Sequence, residues 1–338
     1  MIPNRWYIVL ESRQVANRPV GVMRLNEKLV FWRDAAGRVV CLRDRCVHRG
    51  AQLSIGAVVD HHLQCPFHGL EYDHTGGVTL IPAHGRQTPL PAGFSVQCYP
   101  TYEAHGLIWM WWGEHPLDEL PPPRFFDNLD DTMPYGSFQS LWATHYSRAI
   151  ENQLDVAHLP FVHYNTIGRG GQTLVDGPGF TWDGEDKFSV QLYNRKDDGS
   201  LPRKPTELPP PDPHRPHLEF IFPNLWQLYI APPMRILVAF VPVDHDHTLM
   251  SVRAYNAFVR IPVLQQLLTW STVQYSKKIV RQDQRVVITQ EPRISGLHIG
   301  EHLFQADMPI LEYRRKRQQL LEAERTLETM NDRSDQAR

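Results

Sequence analysis

The chain has 338 residues, a mass of 39.1 kDa and a formal charge of −2, from 35 Lys and Arg against 37 Asp and Glu. That balance argues against an electrostatically driven nucleic-acid binder, 42% apolar residues exclude wholesale disorder, and four cysteines are too few for a disulfide scaffold. Histidine is the unusual count, with 17 residues.

The longest apolar runs, Gly106–Trp112 and Ile236–Val243, fall well short of the about 18–20 residues needed to span a bilayer. The N-terminal stretch MIPNRWYIVLESR lacks the pattern of a cleaved leader. The expected setting is cytoplasmic, with no membrane and no nucleic acid, where thiols stay reduced and free to bind metal. Length sets a prior of about two domains.

Strand-like segments come first: Trp6–Leu10, Lys28–Arg33, Val39–Leu42 and Gly106–Trp112, separated by turn signals such as Thr75-Gly76-Gly77. A proline-rich stretch from Pro116 to Pro134 reads as a linker, giving expected domains 1–118 and 119–338. A helix is expected over 145–159, ended or bent by Pro160. Strands follow at Phe188–Tyr193, Leu218–Phe222, Trp226–Ile230, Arg235–Val241 and Thr248–Phe258, interrupted by a loop from Pro202 to Pro216 with seven prolines in fifteen residues. Long helices are expected over 263–290 and 309–331. The fold class is therefore α+β: an all-β first domain, then a helix, an antiparallel sheet and long helices. The run Tyr313-Arg314-Arg315-Lys316-Arg317 reads as a solvated helix face, balanced by later glutamates.

Two short loops each offer one thiol and one imidazole: Cys46-Val47-His48 and Cys65-Pro66-Phe67-His68. A structural zinc takes two Cys and two His but usually groups the cysteines on one loop. A Rieske [2Fe–2S] cluster needs the mixed arrangement, because cysteines bind one iron and histidines the other. Coincidence among 17 histidines is the remaining reading. Glycines follow the ligand segments at Gly50 and Gly69, where the chain must turn tightly.

With its Trp6-Tyr7, Leu29-Val30, CVHRG and CPFHG segments, this region resembles the Rieske domain of the Rieske non-haem iron oxygenases. Respiratory Rieske proteins usually carry an extra cysteine in each loop, where this chain has Ala51 and Phe67. Leu70 stands where the oxygenases commonly have Trp, which bears on packing over the cluster. Arg43, Arg45 and Arg49 flank the first loop, either as surface charge or as a docking face for an acidic electron donor.

The second constellation is Glu151–His163. Asn152, Asp155 and His158 are three apart and so are expected on one helical face. Pro160 then bends the chain so that His163 approaches. Two imidazoles and one distant carboxylate would make a 2-His-1-carboxylate triad on Fe(II). The pattern N-x2-D-x2-H-x4-H is similar to the mononuclear iron motif of the same family. The resemblance implies Asp283 as third ligand, with Glu291 and then Asp307 as fallbacks. It also implies that Asp155 bridges a Rieske histidine, here His68, to His158 across a subunit boundary. Asn152 is either a group beside the iron or a packing amide.

The resemblance covers nearly the whole chain and implies a helix-grip catalytic domain of the α-subunit-only branch. Its cofactors are one [2Fe–2S] cluster and one mononuclear Fe(II). Its activity is hydroxylation or oxidative demethylation of a small, aromatic substrate with O2. Electrons come from a separate NAD(P)H-dependent reductase, with or without a ferredoxin, and the assembly is a homotrimer. Gly168-Arg169-Gly170-Gly171 lacks the context of a nucleotide fingerprint and is expected to be a loop near the iron helix. The alternative is a Rieske electron-transfer or metal-sensing protein without oxygenase activity. Pocket candidates are Phe220, Phe222, Trp226, Leu228, Tyr229, Met234 and Phe240, with Gln227 and Asn224 to orient a polar substituent. Cys41 and Cys98 are expected to be buried small hydrophobes.

Overall fold

The computed structural model describes residues 1–114 and 120–336. The expected boundary between 118 and 119 lies outside the described residues. Two compact units are present, Pro3–Arg124, and Phe125–Arg338 with Met1–Ile2.

The first unit is all β. Its strands are β1 (Arg5–Glu11), β2 (Val20–Arg24), β3 (Glu27–Arg33), β4 (Val39–Arg43), β5 (Ala57–Val59), β6 (His62–Gln64), β7 (Glu71–Tyr72), β8 (Val78–Leu80), β9 (Cys98–Tyr99), β10 (Thr101–Ala104) and β11 (Leu107–Trp112). Among the described residues they form sheets ordered β1-β11-β10, β2-β3-β4-β9 and β5-β6-β7-β8. The third sheet is a meander that sets the two Cys/His loops side by side. Its core joins Val30, Trp32 and Leu42 to Cys46, Cys65, Leu70 and Tyr72. Leu70 is therefore a core residue beneath the loops, 2% exposed. Cys41 is buried as expected, whereas Cys98 is only half-buried and donates to the His74 carbonyl.

The second unit begins with β12 (Tyr135–Trp142), α1 (Tyr146–Leu154) and α2 (Leu159–Val162). It continues through β13 (Leu174–Val175), β14 (Gly179–Asp183), β15 (Lys187–Gln191), β16 (Asn194–Arg195), β17 (His217–Ile221), β18 (Leu225–Ala231), β19 (Met234–Pro242) and β20 (Thr248–Asn256). Two long helices close it, α3 (Pro262–Val287) and α4 (Met308–Gln336). The main sheet runs β12-β20-β19-β18-β17-β15-β14, antiparallel throughout. Period-two alternation divides its side chains. Phe188, Phe220, Val238, Phe240 and Val252 pack inward with Val280 and Val287 of α3.

The expected helix over 145–159 is instead two. α1 stops at Leu154, because Asp155 takes an extended backbone (φ −70°, ψ 125°). The Asp155 carboxylate accepts from the Ala157 and His158 amides at 2.7 and 3.3 Å, a local turn that competes with the helix. α2 then starts with Pro160 in its first turn, where a missing N–H costs nothing. Asn152, Asp155 and His158 thus do not share one helical face. β12, hidden behind the proline run, was not anticipated.

The Tyr313–Arg317 run is also not a uniformly solvated face. Tyr313 and Arg314 are buried. Arg314 forks onto Glu151 (2.6 and 2.9 Å) and reaches Glu301 at 2.6 Å, while Arg148 bonds Glu151 at 3.1 Å and Glu301 at 2.8 Å. This network clamps α1 to α4.

Candidate functional site

In the first unit the two loops repeat one backbone device. Gly50 N–H donates to the Cys46 carbonyl at 2.9 Å, and Gly69 N–H to that of Cys65 at 3.0 Å. Both glycines are left-handed, φ +74° and +73°, a conformation other residues adopt at a cost. The turns leave Cys46 and Cys65 buried, only 3% and 1% exposed, and His48 and His68 exposed. The imidazole centroids lie 4.6 Å apart. The Tyr72 hydroxyl donates to Cys46 Sγ at 3.1 Å and accepts from the Val47 amide at 3.1 Å, a hydrogen bond of the kind that tunes a cluster sulfur. Buried thiols beneath paired exposed imidazoles fit a two-iron cluster. A single ion needs all four ligand atoms around one point. Among the described residues, the set of three or more His, Cys, Asp or Glu converging in that way lies elsewhere.

That set is His158, His163 and Asp283, whose ligand atoms all lie within 4.8 Å of one another. His158 is the N-terminal cap of α2, His163 follows its last turn, and Asp283 projects from the C-terminal part of α3. Asp283 Oδ1 stands 2.9 Å from His163 Nε2 and 3.5 Å from His158 Nε2. It is nevertheless buried without a hydrogen-bond partner of good geometry among the described residues. Three ligand atoms this close together, with a buried oxygen left unsatisfied, fit a cation and do not suit a hydrogen-bonded core. Glu291 is exposed beyond the end of α3, and Asp307 accepts from the Phe304 amide; neither joins the set.

Neighbours hold these rings. His163 Nδ1 is 2.9 Å from Gln282 Oε1, which also accepts from Thr166 Oγ1 at 2.8 Å, while Gln282 Nε2 donates to Asn165. Asp155 Oδ2 lies 3.7 Å from His158 Nδ1. Burial alone would raise the Asp155 pKa, but His158 and the two backbone amides hold it below the usual value. Gln153 Nε2 approaches Asp283 Oδ2 at 3.4 Å. The sequence reading missed Gln153 and Gln282; adjacency to Leu154-Asp155 and to Asp283 was the available signal. Among the described residues, Asn152 Nδ2 is buried without a hydrogen-bond partner and Asn152 does not line the cavity described next.

Above the three ligands lies a cavity of about 1000 Å³, including its open mouth. Trp226, Leu228 and Met234 line it as expected. Phe220, Phe222 and Phe240 do not; they belong to the core, where Phe222 stacks on Tyr313 at 5.5 Å. Tyr229 faces the opposite side of the sheet and stacks on His217. Gln227 shares that side, donating to Glu219 at 2.5 Å, and Asn224 is spent on the Phe240 carbonyl. Unanticipated is the α3 wall of Thr272, Tyr275, Ser276, Ile279 and Val280, a helical stripe that ends at Asp283.

Residues 5–100 match the Rieske [2Fe-2S] domain, and residues 142–323, more than half of the chain, match the vanillate O-demethylase oxygenase C-terminal domain. The chain is 35% identical over 171 residues to a vanillate O-demethylase oxygenase subunit of Pseudomonas sp. (strain HR199 / DSM 7063), covering 49% of this chain and 46% of that one. It is 34% identical over 163 residues to the oxygenase component of dicamba O-demethylase from Stenotrophomonas maltophilia, covering 48% of each. The matched part spans about half the length of these curated relatives. Among solved structures, NdmA of Pseudomonas putida CBB5, a mutant with theobromine, superposes with a TM-score of 0.75 at 22% identity, covering 96% of this chain and 92% of that one. Dicamba monooxygenase bound to dicamba gives 0.72 at 20%, covering 96% and 99%; both show the shared fold. No helix among the described residues is long and apolar enough to cross a membrane. The chain belongs to the Rieske oxygenases whose catalytic domain is of the vanillate O-demethylase type.

Proposed function

We propose that this chain is the terminal oxygenase component that hydroxylates or oxidatively demethylates a small aromatic substrate with O2. The observation carrying this is the cavity set directly on the His158, His163 and Asp283 ligand atoms. A pure electron-transfer or sensing protein has no use for a substrate-sized space there. When bound, a [2Fe–2S] cluster on Cys46, His48, Cys65 and His68 supplies electrons, and a non-haem iron on His158, His163 and Asp283 supplies O2 activation.

The chain's own residues do the positioning. Gln282 Oε1 accepts a hydrogen bond from the Nδ1–H of His163, which leaves Nε2 unprotonated for the site. Asp155 stands behind His158, where an ionised carboxylate orients the ring and offers a bridge to His68 of a neighbouring copy in a homotrimer. The apolar cavity walls exclude water from the reacting centre. A separate reductase, with or without a ferredoxin, would deliver electrons at the exposed first loop, where Arg45 and Arg49 offer charge to an acidic donor. Cytoplasmic residence goes with such a reductase. Domain limits of 1–118 and 119–338 separate the electron-accepting and oxygen-using parts.

The test is substrate-stimulated O2 uptake by the iron-loaded chain with a surrogate reductase, screened over methoxylated and N-methylated aromatics. Coupled uptake with hydroxylated or demethylated product is expected. A reducible cluster with no uptake beside any such compound contradicts the reading.

A further inference from the structure

We propose that the cavity selects an uncharged, mostly apolar ring compound over its carboxylate counterpart, with the Ser276 hydroxyl meeting the one neutral polar substituent. This rests on the oxygenase reading above and names its substrate class.

The sheet contributes Trp226, Leu228 and Ile230 from β18, Ile236 and Val238 from β19, and Met250 and Val252 from β20. Among the described residues, neither lysine nor arginine lines the space. Arg169 sits in an adjoining surface depression, exposed, with its Nε donated to the Asn165 carbonyl. The charged lining consists of Asp155 and Asp283, whose two negative charges would cancel a divalent metal. A carboxylate entering here would lose water and meet apolar walls with no net positive charge, which is unfavourable.

The polar lining is small and mostly engaged. Gln153 is turned to Asp283, and Thr272 Oγ1 donates to the Leu268 carbonyl at 2.8 Å. Tyr275 is 46% exposed at the mouth. Ser276 is 7% exposed, and among the described residues its hydroxyl makes no side-chain hydrogen bond. It lies on the cavity stripe of α3, seven residues before Asp283, a rise of about 10.5 Å along the same helical face. A lone hydroxyl on an apolar wall is enough to orient one carbonyl or ether oxygen, and an unmet one favours a ligand that supplies an acceptor.

The experiment is equilibrium dialysis of the iron-loaded full chain against 4-methoxyacetophenone and 4-methoxybenzoate. These probes match in shape and differ by a methyl group against a charged oxygen. The ketone is expected to bind at least about tenfold more tightly. Ser276→Ala should weaken the ketone by about two- to tenfold and leave the benzoate unchanged. Met234→Lys, at a half-buried wall position where one long side chain replaces another, should raise benzoate affinity. Equal or tighter binding of the benzoate by the native chain overturns the proposal, as does failure to retain the ketone. An unchanged ketone affinity in Ser276→Ala overturns the role of Ser276. The oxygenase reading fails separately, on iron content and O2 uptake, so the two failures are distinguishable.

Discussion

Gln282 Oε1 lies 2.9 Å from His163 Nδ1, and the next residue, Asp283, places Oδ1 2.9 Å from the opposite nitrogen of the same ring. One turn of α3 thus grips both ends of one imidazole, fixing which nitrogen faces the ligand set. Gln282→Leu should weaken Fe(II) binding by about 10–100-fold while the visible spectrum of the cluster is unchanged. Fe(II) titration of the iron-depleted chain checks this; unaltered affinity removes Gln282 from the account.

Asp155→Asn keeps the Oδ1 that accepts from the Ala157 and His158 amides but loses the charge facing His158. Both metal centres should load normally while steady-state turnover nearly stops. Normal turnover in that variant rules out Asp155 as the bridge.

Glu151 lies buried between Arg148 and Arg314. Removing its charge leaves two buried guanidiniums sharing the single carboxylate of Glu301, so Glu151→Gln should cost about 3 kcal/mol, the lower end for a broken buried pair. Urea unfolding followed by far-UV circular dichroism reads the loss. A midpoint shift equivalent to under about 1 kcal/mol, the scale of a surface pair, would falsify the claim that the network clamps α1 to α4.

The opposite face of the sheet titrates. Burial alone would raise the Glu219 pKa, but the His217 imidazole 3.8 Å away, with contacts from Lys187 and Asn128, brings it down to about 2 from 4.5. A depressed folded pKa stabilises the protein above pH 4.5, and that contribution is lost as pH falls toward 2. The difference of 4.5 − 2 corresponds to about 3 kcal/mol at most. Glu219→Gln should therefore flatten the stability decline between about pH 4.5 and 2. An unchanged acid limb in pH-dependent unfolding contradicts this.

Legibility in the sequence followed distance along the chain. Each Cys/His loop is local, so spacing alone placed Cys46, His48, Cys65 and His68 together, and His158 with His163. Asp283 is far from both histidines and became visible only through the family pattern. Gln153 and Gln282 belong to no motif, since amides act through position and not through an intrinsic metal preference. Strand alternation separated two faces of β18 but not which one is inner, so Trp226 and Gln227 looked equally eligible for the pocket. The α1–α2 break escaped notice because the Asp155 side chain competes with the helical hydrogen bond, and periodicity does not register that.

The account is tested most directly by iron content in the native chain and in Asp283→Ala. Three irons per native chain are predicted, falling to two in the variant with the rhombic reduced-state resonance of the cluster unchanged. Two irons in the native chain, or three retained in Asp283→Ala, would contradict the mononuclear site on His158, His163 and Asp283.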